Sequence, residues 1–207
     1  MPCRYRLTYA KLEEGRWLGH LEMVACLYRS LRRSGLPLAF SSGFHPLPRV
    51  SFYDALPLGV ESLAETMDVE LAQPVPEATL VATLNRVLPP GLKVLQAVRL
   101  TQRQAPPGRL GAVYQVESPE PVFEAETAAQ FLAQGEFMVT RHRPKGDQRL
   151  DLRRLVGDLT VLDPLHLSVG LCRQEKGNLK VTDALAAIFN LRDDQARDLR
   201  IVKTKST

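Results

Sequence analysis

The sequence predicts an α+β fold made of two tandem ferredoxin-like (βαββαβ) units, the second looser than the first. The residue pattern from 4 to 100 predicts the order strand, helix, strand, strand, helix, strand, and that order partly recurs after residue 112. Residues 102–111, between the two halves, are polar and rich in Pro and Gly, as linkers usually are. We therefore predict a first domain at 1–101, a linker at 102–111 and a second domain at 112–207.

Alternation of apolar and polar residues predicts the strands, and apolar residues at helical spacing predict the helices. In the first unit the predicted strands are 4–9, 50–57, 65–71 and 92–100, and the predicted helices are 20–34 and 76–88. In the second unit the predicted strands are 113–117, 137–142, 165–172 and 199–205, the predicted helices are 124–134 and 181–190, and segment 150–162 breaks at Gly157.

Composition indicates an ordinary soluble protein without a membrane span. Of the 207 residues, 44% are hydrophobic and 24% are charged, and no window reaches about 18 consecutive apolar residues. The N-terminus lacks the apolar core of a secretory signal, so we expect a cytoplasmic location. The net charge of +4 permits a polyanionic partner without requiring one.

Three scattered cysteines with no C-x-x-C pair predict reduced thiols, no metal site of standard spacing and no cofactor. The sequence also lacks a Walker loop, a dinucleotide fingerprint, a nucleophile elbow and an H-E-x-x-H motif. These absences leave binding, rather than a recognisable catalytic chemistry, as the better-supported class of function.

The helix predicted at 20–34 has one apolar and one basic side. At about 100° per residue, the predicted buried stripe comprises His20, Val24, Leu27 and Leu31, and the opposite side carries Arg29, Arg32 and Arg33. Guanidinium groups match phosphate geometry, so these arginines are candidate phosphate ligands; the alternative is a solvated face that complements the helix dipole. His20 either packs as a neutral imidazole or acts as a general acid or base.

The segment from residue 41 to 49 combines rigidity with recognition side chains. Pro46 and Pro48 fix backbone angles, and Gly43 permits a tight turn. Such a loop can hold an anion, stack on an unpaired base or pair with a phosphate. The alternative is a rigid connection whose aromatic residue fills the core. The candidate ligands are Ser41, Ser42, Gly43, Phe44, His45 and Arg49.

A basic turn in the second unit is a candidate second phosphate-binding patch, with a solvated hairpin as the alternative. Its candidate residues are Arg141, Arg143 and Lys145. In the first unit, by contrast, Asp68 and Glu70 are expected to neutralise Arg4 and Arg6 through cross-strand pairs.

Several runs carry a resemblance to a known family. They are Trp17-Leu18-Gly19-His20-Leu21-Glu22, Leu27-Tyr28-Arg29-Ser30-Leu31-Arg32-Arg33-Ser34-Gly35-Leu36-Pro37-Leu38, Ser41-Ser42-Gly43-Phe44-His45-Pro46-Leu47-Pro48, Ser51-Phe52 and Leu56-Pro57-Leu58-Gly59-Val60-Glu61-Ser62. With these runs the chain resembles the bacterial radical-SAM-linked proteins, a domain of unknown function fused to, or encoded beside, a radical-SAM protein. The resemblance implies a radical-SAM partner and an action on RNA. The chain holds no three-cysteine cluster motif, so it is not itself the radical-SAM enzyme.

Three functions follow as hypotheses. The preferred one is an RNA-binding or substrate-presenting accessory protein that works with a radical-SAM enzyme in RNA modification. The second is a metal-independent endoribonuclease, because the tandem organisation resembles the CRISPR repeat-processing enzymes; His20 and His45 are its candidate catalysts. The third is a protein-interaction adaptor that docks on the enzyme through the loop at 41–49.

Overall fold

A computed structural model describes residues 2–53, 55–101, 111–141, 146–172 and 179–206. The chain divides into two compact units, Met1–Pro107 and Gly108–Thr207, which we call the N-terminal and C-terminal units. Antiparallel strands and helices make up both units, which confirms the α+β class. Residues 102–110 of the expected linker lie outside the described residues, so the linker stays a prediction.

In the N-terminal unit, β1 pairs antiparallel with β3 and with β4, and β2 pairs antiparallel with β3. Its elements in chain order are β1 (Cys3–Lys11), the 3-10 helix η1 (Glu13–Trp17), α1 (His20–Arg33), β2 (Val50–Phe52), β3 (Glu61–Leu71), α2 (Glu77–Asn85) and β4 (Leu92–Leu100). The strand expected at 50–57 therefore ends at Phe52, where its pairing with β3 ends, and the strand expected at 65–71 begins earlier, at Glu61.

The core of the N-terminal unit lies between this sheet and its two helices. Tyr5 and Leu7 of β1 and Val69 of β3 point into it, and alternate residues of the same strands point to the opposite face, which we call the open face. The buried stripe of α1 differs from the expected one, because His20 and Val24 are only half-buried. The fully buried α1 residues are Met23, Leu27, Ser30 and Leu31.

In the C-terminal unit four antiparallel strands pair in the order β10–β5–β9–β8, and β6 and β7 form a separate hairpin. The elements are β5 (Gly111–Glu117), α3 (Ala125–Ala133), β6 (Met138–Arg141), β7 (Gln148–Asp151), α4 (Leu152–Leu155), β8 (Val156–Asp163), β9 (His166–Cys172), α5 (Val181–Phe189), α6 (Asp193–Asp198) and β10 (Arg200–Ser206).

Two features of the C-terminal unit differ from expectation. Segment 150–162 does not break at Gly157, which lies inside β8; it breaks at α4, whose first turn is capped by the Asp151 carboxylate accepting from the Arg153 amide at 3.0 Å. The short helix α6 was not predicted. The core of this unit is built around aromatic pairs, with Phe123 against Phe189 and Phe131 against Phe137, each with ring centroids 5.3 Å apart.

Candidate functional site

The predicted loop at 41–49 projects from the edge of the N-terminal sheet. Three backbone hydrogen bonds close its neck: Ala39 N–H donates to the Glu70 carbonyl at 2.9 Å, Glu70 N–H to the Arg49 carbonyl at 3.0 Å, and Arg49 N–H to the Ala39 carbonyl at 2.8 Å. Ser41 N–H then donates to the Leu47 carbonyl at 2.9 Å. The residues between Ser41 and Leu47 are thereby held as a compact projection, which we call the loop tip.

The loop tip presents its side chains to solvent. Phe44 is fully exposed, at 102% of its reference area, which excludes the alternative in which it fills the core. Ser42 and His45 are also exposed, and Gly43 has φ 119°, a backbone conformation that favours glycine. Ser41 is partly committed within the loop, because its Oγ accepts from the Leu47 amide at 3.1 Å.

Arg49 lies at the neck instead of the tip. Its Nη1 forms an ion pair with Glu70 Oε2 at 3.3 Å, and its side chain is 50% exposed. Solvent-exposed pairs of this kind contribute about 1 kcal/mol or less. A phosphate can therefore compete with Glu70 for Arg49, the candidate ligand of the sequence analysis, at small cost.

The three arginines of α1 have different surroundings. Arg29 and Arg32 are exposed and have no hydrogen-bond or ion-pair partner among the described residues. Arg33 donates from Nη2 to the Val87 carbonyl at 2.8 Å, beyond the end of α2, so it is partly engaged in structure. The six-residue path from Arg33 to Ala39 keeps the Cα atom of Arg33 within about 20 Å of the loop neck.

The open face of the N-terminal sheet is neutralised, as the sequence predicted. Asp68, whose side chain is 1% exposed, pairs with Arg4 at 3.1 Å and with Arg6 at 2.8 Å. The Tyr53 hydroxyl also donates to Asp68. Hydrogen bonding to Asp68 raises the pKa of Arg6 above its ordinary value, and burial raises the pKa of Tyr53. Glu70 forms its ion pair with Arg49, where Arg4 or Arg6 had been expected.

The two candidate catalytic histidines are far apart. His20 begins α1 beside η1, whose Arg16 carbonyl accepts from Gly59 N–H at 3.0 Å and whose Glu13 N–H donates to Glu61 at 2.7 Å. This is the Glu61 end of β3, whereas the loop that carries His45 leaves the sheet at Glu70, about 30 Å away along the strand. The two imidazoles therefore cannot act on one reacting group. The Nδ1 of His20 is buried without a hydrogen-bond partner among the described residues.

A buried charged network lies beneath η1. Lys11 is 1% exposed and its Nζ donates to the Leu18 carbonyl at 2.9 Å; Glu65, 2% exposed, accepts from the Ser62 hydroxyl at 2.9 Å. Burial lowers the pKa of Lys11, and the charge of Glu65 opposes that effect. Burial and Glu65 together raise the pKa of Tyr9. Perturbed groups of this kind mark functional sites in some proteins and structural networks in others; here the bond to Leu18 ties η1 to the sheet.

The lowered pKa of Lys11 makes the free energy of unfolding of the N-terminal unit depend on pH in the alkaline range. Its folded-state pKa lies below the ordinary value of 10.5, so over that interval the unfolded chain holds a proton that the folded chain has released. Between the folded-state pKa and the ordinary pKa, unfolding takes up a proton, so the free energy of unfolding rises with pH across that interval. The added stability is fully present above the ordinary pKa and is lost as the pH falls to the folded-state pKa. In urea unfolding, we expect the stability of the wild type relative to Lys11→Met to rise as the pH increases toward the ordinary lysine pKa, up to about pH 10. Lys93→Met, at an exposed position of β4, should show no such trend, and parallel wild-type and Lys11→Met curves would contradict this assignment.

The second predicted basic patch is described only in part. Arg141 Nη2 lies 3.6 Å from Asp183 Oδ2 in an ion pair, which makes it less available to a phosphate than the sequence suggested. Arg143 and Lys145 lie outside the described residues, so their roles stay predictions.

Sequence reasoning missed His166. Its Nδ1 lies 2.9 Å from both carboxylate oxygens of Asp163 in the turn between β8 and β9. The backbone N–H of Leu165 and then the His166 side chain lower the pKa of Asp163. The available signal was the run Asp163-Pro164-Leu165-His166, in which a turn-forming Asp precedes His by three residues.

Within the described ranges, no group of three or more His, Cys, Asp or Glu side chains is arranged to hold a metal ion. Across the same ranges, no helix has the length and apolar character needed to cross a membrane.

Comparisons with known proteins identify a family but no characterised relative. A family model described as an uncharacterized protein conserved in bacteria (DUF2344) matches residues 4–181. No curated protein matches the chain. One similar solved structure is a provisionally assigned glycine cleavage system transcriptional repressor, 12% identical, with a TM-score of 0.24 over 98% of this chain and 99% of that chain. A similarity at that score supports no argument about fold or function.

Proposed function

We propose a function for this chain, which belongs to DUF2344, an uncharacterized family of proteins conserved in bacteria. The chain is a cytoplasmic RNA-binding accessory protein that presents its substrate to a radical-SAM enzyme in RNA modification. The radical-SAM partner comes from the sequence resemblance, carried by motifs between Trp17 and Ser62. RNA binding is supported by the loop tip and by the unpaired arginines of α1.

Each unit is proposed to be a ferredoxin-like domain. The N-terminal strands pair as β4–β1–β3–β2, and the C-terminal strands pair as β10–β5–β9–β8 with the β6–β7 hairpin inserted. Counted within each unit, both orders are fourth, first, third and second strand, all antiparallel, which is the pairing expected of βαββαβ units. Residues 102–110 are the proposed connection between the two domains, since Gly111 of the expected linker begins β5.

The full exposure of Phe44 is the observation that carries the RNA proposal. An aromatic ring at the tip of a loop contributes nothing to the core, while the hydrogen-bonded neck fixes where the loop leaves the sheet. Base stacking on such a ring contributes about 1–3 kcal/mol and tolerates any base. Arg29 and Arg32 supply unpaired guanidiniums on the helix that leads into the loop. Stacking side chains and guanidinium groups are the two kinds of contact that single-stranded RNA sites combine.

Fluorescence anisotropy with a short RNA hairpin that has an unpaired loop tests this proposal. We expect Phe44→Ala to weaken binding about tenfold. The double variant Arg29→Ala/Arg32→Ala should weaken it further and reduce the slope of log affinity against log salt by one to two. The matched control, Arg86→Ala/Lys93→Ala, removes two exposed cations of the same unit and should cost less. Binding that is unchanged in both site variants, or equally lost in the control, would contradict the proposal.

The adaptor hypothesis makes a different prediction for the same loop. Replacing residues 41–47 with a Gly/Ser linker should weaken RNA binding while the proposed radical-SAM partner still co-purifies. Loss of co-purification with RNA binding intact would instead favour the adaptor. The endoribonuclease hypothesis has His20 or His45 as its acid–base catalyst and stays a hypothesis; the distance between the two histidines excludes only a mechanism that needs both at once.

A further inference from the structure

The open face of the C-terminal sheet carries a second group of recognition side chains. Cross-strand register places Glu117 opposite both His166 and Arg200, on the face away from the buried Val116, Leu167 and Ile201. Side chains opposite one another on a sheet have Cβ atoms about 5 Å apart. The His, the Glu and the Arg therefore form a single contiguous surface across three strands.

This surface is a cavity and not a flat face. The cavity has a volume of about 320 Å³, within the range of small-molecule sites, and Leu162 forms an apolar part of its wall. Leu162 is 62% exposed, so it offers apolar surface to a ligand. The polar lining consists of Gln115, Glu117, Asp163, His166 and Arg200.

His166 is oriented for recognition. A carboxylate can only accept, so Asp163 accepts from Nδ1, and this contact fixes the orientation of the ring. Nε2 and the ring faces remain for a ligand, and the side chain is 44% exposed. Imidazole rings stack on unpaired bases.

Glu117 and Arg200 give the cavity two opposite charges. Their closest atoms, Arg200 Nη1 and Glu117 Oε2, are 3.9 Å apart, and both side chains are more than half exposed. A pair this long and this exposed is weak, so each partner can exchange its interaction for one with a ligand. A ligand that pairs with both side chains must carry an anionic group for Arg200 and, beside it, N–H donors for Glu117.

We propose that this cavity binds one unpaired guanine nucleotide. A carboxylate repels the RNA backbone, so Glu117 favours binding only where a base donates to it. Guanine carries two adjacent N–H donors, N1–H and the N2 amino group, which match the two oxygens of a carboxylate. In this arrangement Glu117 holds the base edge, His166 contacts the ring and Arg200 holds the phosphate. The inference rests on the proposed RNA binding and adds a base preference to it.

Anisotropy with four labelled five-nucleotide RNAs, identical except for a central G, A, C or U, tests the site. The wild type should prefer the G oligonucleotide by about tenfold. Glu117→Gln should remove that preference without weakening binding to the other three RNAs, because it removes from the cavity a charge that repels the RNA backbone. His166→Ala should weaken binding of all four by at least about fivefold. Arg200→Gln should weaken all four while keeping the preference, whereas Arg154→Ala, which removes an ion-paired arginine of the same unit outside this cavity, should change little.

The outcomes separate this inference from the proposed function. If the wild type binds RNA without base preference and Glu117→Gln and His166→Ala bind like the wild type, the guanine site is wrong and the proposed function stands. If Phe44→Ala weakens binding but the remaining binding still prefers G, both sites are supported. If the wild type binds none of the four RNAs nor the hairpin, both are overturned.

Discussion

Replacing Asp68 with alanine is expected to lower the free energy of unfolding of the N-terminal unit by about 3 kcal/mol. The carboxylate is 1% exposed, accepts hydrogen bonds from Arg6 and Tyr53, and forms an ion pair with Arg4. Its removal leaves the Arg6 guanidinium, whose side chain is only 15% exposed, as a charge without its principal acceptor. The loss is large because a poorly solvated cation deprived of its principal carboxylate costs more than the pair itself contributes.

The measurement uses the single tryptophan of the chain. Trp17 lies in the N-terminal unit, so its fluorescence during urea unfolding follows that unit. Glu70→Ala is the matched control, since it removes a carboxylate two residues along the same strand whose pair with Arg49 is half exposed; it should cost less than about 1 kcal/mol. Asp68→Asn keeps an oxygen acceptor and should fall between the two. Equal losses for Asp68→Ala and Glu70→Ala would show that burial of the Asp68 pair contributes nothing.

The sequence predicted most strands, because their signal is local. In β1, apolar residues such as Tyr5 and Leu7 alternate with polar ones over its predicted part, residues 4–9, and that spacing requires no knowledge of the partner strands. The pair between Asp68 and Arg6 was predictable for the same reason, once both strands were assigned to one sheet. The helix α4 was not predictable, because four residues are too few to show a helical period and its capping carboxylate resembles any other Asp.

The sequence identified the residue types of the functional side chains, but not whether each side chain is exposed or engaged in a hydrogen bond. A phenylalanine in a loop can fill a core or project from it, and the neck bonds that decide this for Phe44 involve Glu70, far along the chain. Likewise Arg33 appeared equivalent to Arg29 and Arg32, and only folding brings it to the Val87 carbonyl, 54 residues away. Long-range contacts of this kind separate free recognition groups from structural ones, and residue spacing does not encode them.

Gly91→Ala is expected to destabilise the N-terminal unit by about 3 kcal/mol through a clash of the added Cβ with backbone atoms. Gly91 has φ 80°, and a Cβ at that position would lie 2.5 Å from the Gly15 nitrogen and 2.8 Å from the Leu12 carbonyl oxygen. Neither atom belongs to a flexible side chain, so η1 must move away from the turn before β4. That movement also strains the 2.9 Å hydrogen bond from Leu12 N–H to the Gly91 carbonyl.

Gly35→Ala separates the clash from the backbone strain. Gly35 has a similar φ of 72°, but nothing lies within 4 Å of the added Cβ, so only the strain of about 1 kcal/mol applies. Urea unfolding followed by Trp17 fluorescence measures both variants. Because Trp17 ends η1, Gly91→Ala should also shift its native-state emission, whereas Gly35→Ala should leave it unchanged. Equal destabilisation by the two variants, with no emission shift, would mean that η1 is positioned by the Lys11–Leu18 and Glu61–Glu13 hydrogen bonds and not by the Gly15–Gly91 contact.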